Sequence, residues 1–333
     1  MQDMIPSRGV RRRTLVPRSV ALLAPILMAV LFPGVARAAV DIRLSGTDVV
    51  LHERASDPMV VTSYGLVERG RSMPYLREYG KNRFSPMPAH WRVSVSPGGS
   101  LALESAAFLD QSGCEWFDLV SRRLGTVRAI RTICQPYNGG IFNWSRDGKQ
   151  AVQLVFKVRK NISTTTGFLI IDAVSATSRY VPLKKAWRHA HFAWTPNGKY
   201  VVEYDPTDIK RGIRFLRPDG KLHRAMKRAG TLAGGENAFS PSGDRFATWC
   251  TADRAADICL WDSASSKPKG ELWGGAFDLY GWWDERHLIV LQRSGKGYQS
   301  VLIDLSGRRV RVLADISSSA YKEDEVQLNY SRN

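Results

Sequence analysis

Short apolar runs separated by tight polar turns recur along this chain. The clearest copy is HFAWTPNGKYVVEY (191–204), in which one apolar run ends at Trp194, Thr-Pro-Asn-Gly follows, and a second run begins at Tyr200. Proline fixes φ near the value that the second turn position needs, while Asn and Gly tolerate the positive φ of a close reversal. The pattern predicts two antiparallel strands joined by a tight turn.

This pattern repeats at a nearly constant spacing. Clear copies are VSVSPGGSLALES from Val93, FNWSRDGKQAVQL from Phe142 and NAFSPSGDRFATW from Asn237, and weaker copies are YGWWDERHLIVL from Tyr280 and IRLSGTDVVLHE from Ile42. The turns begin at Ser45, Ser96, Ser145, Thr195, Ser240 and Trp283, in steps of 51, 49, 50, 45 and 43 residues. A period in this range with short strands inside it predicts a repeat architecture.

A second pattern shares the phase of the first. About 20 to 30 residues after a turn comes an apolar strand that ends in Asp, followed by a polar hairpin. The residues are Asp118, Asp172, Asp262 and Asp304, and the fourth repeat has Arg217 instead. Because an Asp carboxylate accepts N–H groups of a following turn, we expect these residues to be structural. Each unit then holds four strands in meander order.

Six such units predict an all-β fold, a six-bladed β-propeller of four-stranded antiparallel blades, with five or seven blades as alternatives. The N-terminal runs VDIRLS, DVVLHE and PMVVTSYG form a degenerate first repeat, and the C-terminal run EVQLNYS lies beside them, closing the ring and removing exposed sheet edges. The irregular segment from Tyr75 to Pro88 is expected to be a loop between blades. The large aromatic residues before the turns are expected to wedge between blades, and they are Trp144, Trp194, Phe239 and Trp282.

The repeat turns carry a resemblance to a known family. They resemble the W-S-P-D-G-K turn of propellers related to the periplasmic Tol-system protein TolB, and Trp261-Asp262 matches the dipeptide of Trp-Asp repeats. The resemblance covers nearly all of the chain after its N-terminal segment. It implies a fold and no particular activity, because blades of this type occur in binding proteins, peptidase accessory domains and some lyases.

The N-terminal segment, residues 1–38, has the features of an export signal. Five arginines precede an apolar run from Val20 to Phe32, and Ala36-Arg37-Ala38 is a small-x-small cleavage site. The run is shorter than the roughly 20 residues of a transmembrane helix. Arg12-Arg13 is compatible with the twin-arginine route or with an ordinary secretory signal. Residues 39–333 would then form one exported propeller domain, periplasmic or extracellular.

The four cysteines fit an exported protein. Cys114 and Cys134 are spaced evenly about a turn, and Cys250 and Cys259 flank a loop between two strands, so each pair can meet across a hairpin. We predict these two disulfides. Neither pair has the C-x-x-C spacing of a zinc site.

The charge of the chain is strongly positive. Without the signal it has 42 basic and 30 acidic residues, a net charge of +12. That excess suggests an anionic neighbour, although basic charge also serves solubility. If the loops between second and third strands share one face with the loops between blades, a basic sector belongs to blades three and four. Its members are Lys157, Arg159, Lys160, Lys184, Lys185, Arg188, His189, His191, Lys210, Arg211, Lys227 and Arg228.

Two functions remain open at this point. The first is a non-catalytic scaffold, expected to be a monomer, that binds an envelope protein or an anionic polymer through the basic sector. The second is a propeller lyase or hydrolase on an acidic saccharide, using His189 or His191 with Arg188. No nucleic-acid-binding motif is present and the G-x-S-x-G elbow is absent. No cofactor, metal or nucleic acid is expected.

Overall fold

The computed structural model describes residues 40–68 and 71–333, so the predicted signal segment lies outside the described residues. The described chain is a six-bladed β-propeller. The first thirteen strands are β1 (Val40–Arg43), β2 (Val49–Glu53), β3 (Met59–Glu68), β4 (Arg71–Arg77), β5 (Phe84–Pro86), β6 (His90–Val95), β7 (Leu101–Ala106), β8 (Cys114–Ser121), β9 (Val127–Cys134), β10 (Tyr137–Trp144), β11 (Gln150–Arg159), β12 (Ile162–Asp172) and β13 (Thr177–Pro182).

The second half of the chain repeats the same meander. Its strands are β14 (His191–Trp194), β15 (Val201–Tyr204), β16 (Ile213–Leu216), β17 (Leu222–Met226), β18 (Thr231–Leu232), β19 (Arg245–Trp249), β20 (Ile258–Asp262), β21 (Pro268–Leu272), β22 (Ala276–Trp282), β23 (His287–Ser294), β24 (Gly297–Asp304), β25 (Arg309–Ile316) and β26 (Gln327–Arg332). The helical elements described are a 3-10 helix (Gly235–Asn237) and α1 (Ser318–Lys322).

The strand order defines the blades and confirms the predicted fold. Blade one is β26-β3-β4-β5, blades two to five are β6–β9, β10–β13, β14–β17 and β18–β21, and blade six is β22–β25. The C-terminal strand β26 is the innermost strand of blade one, with Leu328 opposite Tyr64. The C-terminal strand therefore pairs with β3 and completes blade one, which closes the ring.

The repeat turns join the first and second strands of blades two to six. In blade three, Ser145 Oγ lies 2.7 Å from Asp147 Oδ1 and accepts from the N–H of Gln150 at 3.0 Å. Thr195 and Asn197 make the same contact in blade four, where Gly198 has φ of 65°. These side chains satisfy the backbone of the reversal, which explains the recurring Ser/Thr-x-Asp/Asn-Gly pattern.

The first two strands do not belong to the first blade as the sequence suggested. The β1–β2 hairpin extends blade six instead, with Val49 of β2 opposite Ile316 of β25. The outer edge of β25 would otherwise expose unpaired backbone groups, and covering it satisfies them. Arg311 secures the addition by pairing with Asp57 and donating to the carbonyl of His52.

The prediction of a loop from Tyr75 to Pro88 is also wrong. Strand β4 extends to Arg77 and β5 spans Phe84–Pro86, and together they form the outer half of blade one. The prolines concealed this, because proline is usually a strand breaker. An edge strand such as β5 has one side without a ladder partner, and proline is tolerated there.

One of the four strand-ending aspartates was misplaced. Asp172, Asp262 and Asp304 end strands and accept N–H groups of the following hairpins. Asp118 lies inside β8, opposite Glu104, and Ser121 occupies the equivalent strand end. The third strand of blade two continues for three residues beyond Asp118, so the apolar run alone did not mark its end.

The cores of the propeller lie between blades, as predicted for the aromatic wedges. Trp144, Trp194, Phe239 and Trp282 are each 3% exposed or less. Each packs with residues of the preceding blade: Trp144 shares a cluster with Phe117, for example. A four-stranded sheet cannot cover its own faces, so this burial is available only to the assembled ring.

Both predicted disulfides are present. Cys114 and Cys134 face each other across β8 and β9 of blade two. Cys250 and Cys259 join the second and third strands of blade five. No described cysteine is free.

The wedge assignment makes a prediction for Trp194. Replacing it with Ala removes a buried indole that fills the space between blades three and four, and should lower the free energy of unfolding by about 3–5 kcal/mol in denaturant titration. Trp273→Ala is the matched control, because Trp273 is 64% exposed and its loss should change stability by about 0.5 kcal/mol or less. Equal losses for the two variants would contradict the assignment.

Candidate functional site

One end of blades three and four carries a concentration of cationic side chains. The antiparallel strand order places the loops between second and third strands at the same end as the loops between blades. We call the cationic residues at this end the basic rim, and they are Lys157, Arg159, Lys160, Lys184, Lys185, Arg188, Lys210, Arg211, Lys227 and Arg228. His189 lies in the same inter-blade loop, and His191 is the first residue of β14.

Part of this set is occupied by contacts within the protein. Arg211 pairs with Asp208 at 3.2 Å and lies 5.5 Å from the centre of the Trp187 ring. Arg214 stacks over the same ring at 4.4 Å and pairs with the buried carboxylate of Glu203. Lys157 lies 4.1 Å from the ring centre of Tyr137. These cations serve mainly to fix the loops.

The rest of the rim is exposed and unpaired within the described chain. Exposed side chains with no ion pair or hydrogen bond to a described residue are Arg159, Lys160, Lys184, Lys185, Arg188, Lys210 and Lys227. Arg159 and Lys160 are at the tip of the β11–β12 hairpin of blade three. The two strands of this hairpin have 10 and 11 residues and are longer than any strand of the neighbouring blades two and four. These seven residues of the rim therefore present cations that no described carboxylate pairs with.

The two histidines differ in environment. His189 is exposed, whereas His191 packs edge-on against Tyr204 with ring centres 5.6 Å apart. Burial, reinforced by the nearby charge of Arg92, lowers the pKa of His191 to about 4. His191 is therefore neutral at pH 7 and adds no charge to the rim.

A separate cavity of about 600 Å³ lies at the axis of the ring, and we call it the central cavity. Its wall is formed by the inner strands of several blades together with the segment around α1. Six aromatic residues contribute to the lining, namely Tyr64, Trp91, Phe142, Tyr280, Tyr321 and Tyr330. The size is that of a small-molecule pocket.

The 3-10 helix of blade five forms the inner end of this cavity. Asn237 donates to the carbonyl of Tyr330 in blade one at 2.9 Å. A Cβ on Gly234 would come within 2.6 Å of the Cα of Gly281 in blade six, and one on Gly235 within 2.9 Å of Asn143 in blade three. Glycine at both positions, each with positive φ, lets this segment approach blades three and six closely.

The charged groups of the cavity are more acidic than basic. Lining residues with charge are Arg92, Glu236, Asp278 and Glu325. Enclosure by protein raises the pKa of Glu236 to about 7, and it also raises the pKa of Asp278. The same desolvation lowers the pKa of Arg92. No described histidine lines the cavity.

A third group of titratable side chains lies within blade two. His90 Nε2 is 3.6 Å from the nearer oxygen of Glu104 and 3.7 Å from that of Asp118. Burial, together with the Asp118 charge, raises the pKa of Glu104 to about 7. This cluster occupies one face of three paired strands and faces no described cavity, so its role is in blade packing.

Sequence reasoning missed the cavity residues. Arg92 and Asp278 lie on innermost strands before the repeat turns, and Glu236 follows a pair of glycines. Polar residues on innermost strands, where most positions are apolar, are the signal that could have found them. Their convergence on one axis depends on the closure of the ring.

The described residues contain neither a metal-binding group nor a membrane-spanning helix. No group of three His, Cys, Asp or Glu side chains in residues 40–68 and 71–333 is arranged to hold a metal ion. In the same part of the chain, no helix has the length and apolar character needed to cross a bilayer.

Comparison with known proteins shows the fold. No family model and no curated protein sequence matches this chain. Among solved structures, an oligogalacturonate lyase in complex with manganese is 12% identical, with 82% of this chain and 83% of that chain covered and a TM-score of 0.54. An acylaminoacyl peptidase from Pyrococcus horikoshii is 12% identical, covering 78% of this chain and 45% of that chain, with a TM-score of 0.53.

The expected likeness to TolB is also found. TolB from Acinetobacter baumannii is 12% identical, with 84% of this chain and 67% of that chain covered and a TM-score of 0.47. At such identities the likeness is one of fold. The lyase and the peptidase have different activities by name, so the fold does not choose between the two functions.

The Glu104 carboxyl makes a prediction about pH. Burial raises its pKa from an ordinary value of 4.5 to about 7 in the folded state, so its contribution to stability is full below pH 4.5 and is lost as pH rises through 7. Glu104→Gln should therefore stabilise the protein by about 1–3 kcal/mol at pH 8 and have little effect at pH 4. Thermal or denaturant unfolding at both pH values measures this.

Glu323→Gln is the control for that experiment, because this substitution removes the same charge from an exposed position. It should leave stability nearly unchanged at both pH values. A Glu104→Gln effect that is the same at pH 4 and pH 8 would contradict the raised pKa.

Proposed function

We propose that this protein is an exported, non-catalytic propeller scaffold that binds an anionic partner of the cell envelope through the basic rim. The observation that carries the proposal is the set of exposed cations without internal counter-charges on blades three and four. A cluster of this kind attracts an anionic surface and orients its approach. Arginine adds bidentate hydrogen bonds to carboxylate, phosphate or sulfate.

Several arginines outside the rim make contacts that join the blades. Arg128, Arg179 and Arg224 each reach from an outer strand to backbone carbonyls of the next blade. Near the inner turns, Arg146 of blade three donates to the carbonyl of Ser240 in blade five, and Arg332 of blade one donates to the carbonyl of Trp282 in blade six. Much of the positive charge is therefore used to hold blades together. The seven exposed, unpaired cations of the rim are different, because no ion pair or hydrogen bond to a described residue accounts for them.

Export is supported by two features. Two disulfides favour an oxidising compartment. The N-terminal sequence has the pattern of a signal segment. A periplasmic or extracellular location brings the rim into contact with acidic envelope components, either a protein or a polymer.

The enzyme alternative has less support. Arg188 and His189 are exposed on the rim, outside the lining of the central cavity, and His191 does not line it either. A lyase or hydrolase of the kind considered needs its base, its arginine and its substrate at one place. The residues named for that chemistry do not converge on a pocket, and so we put forward the scaffold alone.

Charge reversal tests the proposal. A triple variant, Lys184→Glu, Lys185→Glu and Arg188→Glu, should weaken retention on dextran sulfate beads and on envelope fractions by about tenfold or more at low salt. Elution of the unaltered protein should shift to earlier fractions as salt rises, because exposed ion pairs are screened.

The matched control reverses three exposed cations at the opposite end of the blades, through Arg123→Glu, Lys149→Glu and Lys199→Glu. It changes the net charge by the same amount and should keep most of the retention. If both triple variants lose retention equally, net charge and not the rim is responsible, and the proposal is wrong.

A further inference from the structure

The central cavity has a charge opposite to that of the rim. Three carboxyl groups and one guanidinium line it, so the cavity is acidic while the surface around blades three and four is basic. A ligand suited to the rim is therefore unsuited to the cavity. The two surfaces need separate explanations.

The carboxyl of Asp278 is the best placed to meet a ligand. It lies on the innermost strand of blade six and lines the cavity. Its only hydrogen bond to a described residue is from the N–H of Leu279, the next residue, at 2.8 Å. No described Lys or Arg pairs with it, and protein crowds it enough to raise its pKa. The side chain is exposed to solvent within the open cavity, so a carboxylate with no described cation beside it is accessible to a cationic ligand there.

Aromatic rings surround this carboxyl. Tyr280 and Tyr321 line the same cavity as Asp278. Burial raises the pKa of both phenols, and the charge of Asp278 adds to the shift in each. The Tyr280 ring is 5.4 Å from that of Tyr330, and Tyr321 is stabilised by Tyr298 at 3.9 Å. The hydroxyl of Tyr280 has no hydrogen bond to a described residue. Packing thus holds the rings in position before any ligand arrives.

Glu236 and Glu325 extend the acidic lining to other parts of the wall. Glu236 is on the 3-10 helix at the inner end, where its one hydrogen bond is a 3.3 Å contact from the N–H of Trp144. Glu325 is exposed to the cavity beside α1 and has no ion pair within the described chain. Arg92 is the one described cation of the lining, and no carboxylate pairs with it.

A site that combines carboxylates with the faces of aromatic rings is suited to bind organic cations. The carboxylate supplies the counter-charge and accepts the N–H groups of an ammonium, while the ring faces attract the positive charge and cover the carbon atoms. An anion would face the carboxylates of Asp278 and Glu325, and a neutral sugar would leave the charge of these two groups uncompensated.

We propose that the central cavity binds a small organic ammonium ion, with Asp278 as its counter-charge and Tyr280 and Tyr321 as its aromatic walls. This site is independent of the basic rim. At about 600 Å³ the cavity has room for a ligand of several carbon atoms. The ligand would contact blades one, five and six together.

The experiment is calorimetric titration of the intact exported domain with butylammonium chloride, using sodium butyrate as the matched anion of similar size. Butylammonium should bind and butyrate should not. Asp278→Asn should weaken butylammonium binding by about tenfold or more, the usual effect of removing a charged hydrogen-bond partner. Glu323→Gln is the matched control: it removes one negative charge near α1 outside the lining and should leave the affinity unchanged.

Glu325→Gln provides a second variant, and its exposed position makes it safe for folding even if Asp278→Asn is not. It should weaken binding a few-fold. The rim triple variant should bind butylammonium as the unaltered protein does, which separates this proposal from the function of the rim. Equal binding of butyrate, no binding of butylammonium, or unchanged affinity in both Asp278→Asn and Glu325→Gln would overturn the proposal.

Discussion

The structure depends on burial between neighbouring sheets. Each blade has two faces and too few strands to cover either, so the wedges at Trp144, Trp194, Phe239 and Trp282 are buried only when the preceding blade is in place. Such an arrangement is complete only as a ring, since an open array would leave two faces exposed. The sharing of blade one by β3 and β26 provides that closure, and the axial cavity exists because of it.

The positive charge of the chain divides into two physical roles. One set of arginines donates to backbone carbonyls of adjacent blades, as Arg128, Arg179 and Arg224 do at the outer hairpins. Each such contact satisfies carbonyls that no strand reaches, and a guanidinium is suited to this because its several donors share one plane. The other set lies on the rim without such contacts. The net charge of the sequence counts both sets together. Their positions in the structure are needed to tell the two sets apart.

Much of the fold could be predicted because its signals are local. A Thr-Pro-Asn-Gly turn determines its own reversal, and a large aromatic residue before each turn marks the face that must be buried. The cysteine pairs could be assigned because hairpin spacing places them opposite each other. Blade number followed from counting units.

The errors arose where the outcome depends on distant parts of the chain. The β1–β2 hairpin has an ordinary strand pattern, but whether it joins blade one or blade six is decided by which edge remains unpaired after closure. Pro86 obscured an edge strand for a similar reason, because its tolerance there depends on the missing neighbour. Arg92, Glu236 and Asp278 lie far apart in sequence and meet only at the axis. Local sequence patterns do not show that these three residues line the same cavity.

Amide hydrogen exchange of the C-terminal strand is the most direct test of ring closure. If β26 is the innermost strand of blade one, the hydrogen-bonded amides of Gln327–Arg332 should exchange as slowly as those of the innermost strands of other blades. Their exchange should also require unfolding of the whole ring. Exchange of this strand at the rate of an exposed loop, while the other inner strands stay protected, would contradict closure and with it the cavity.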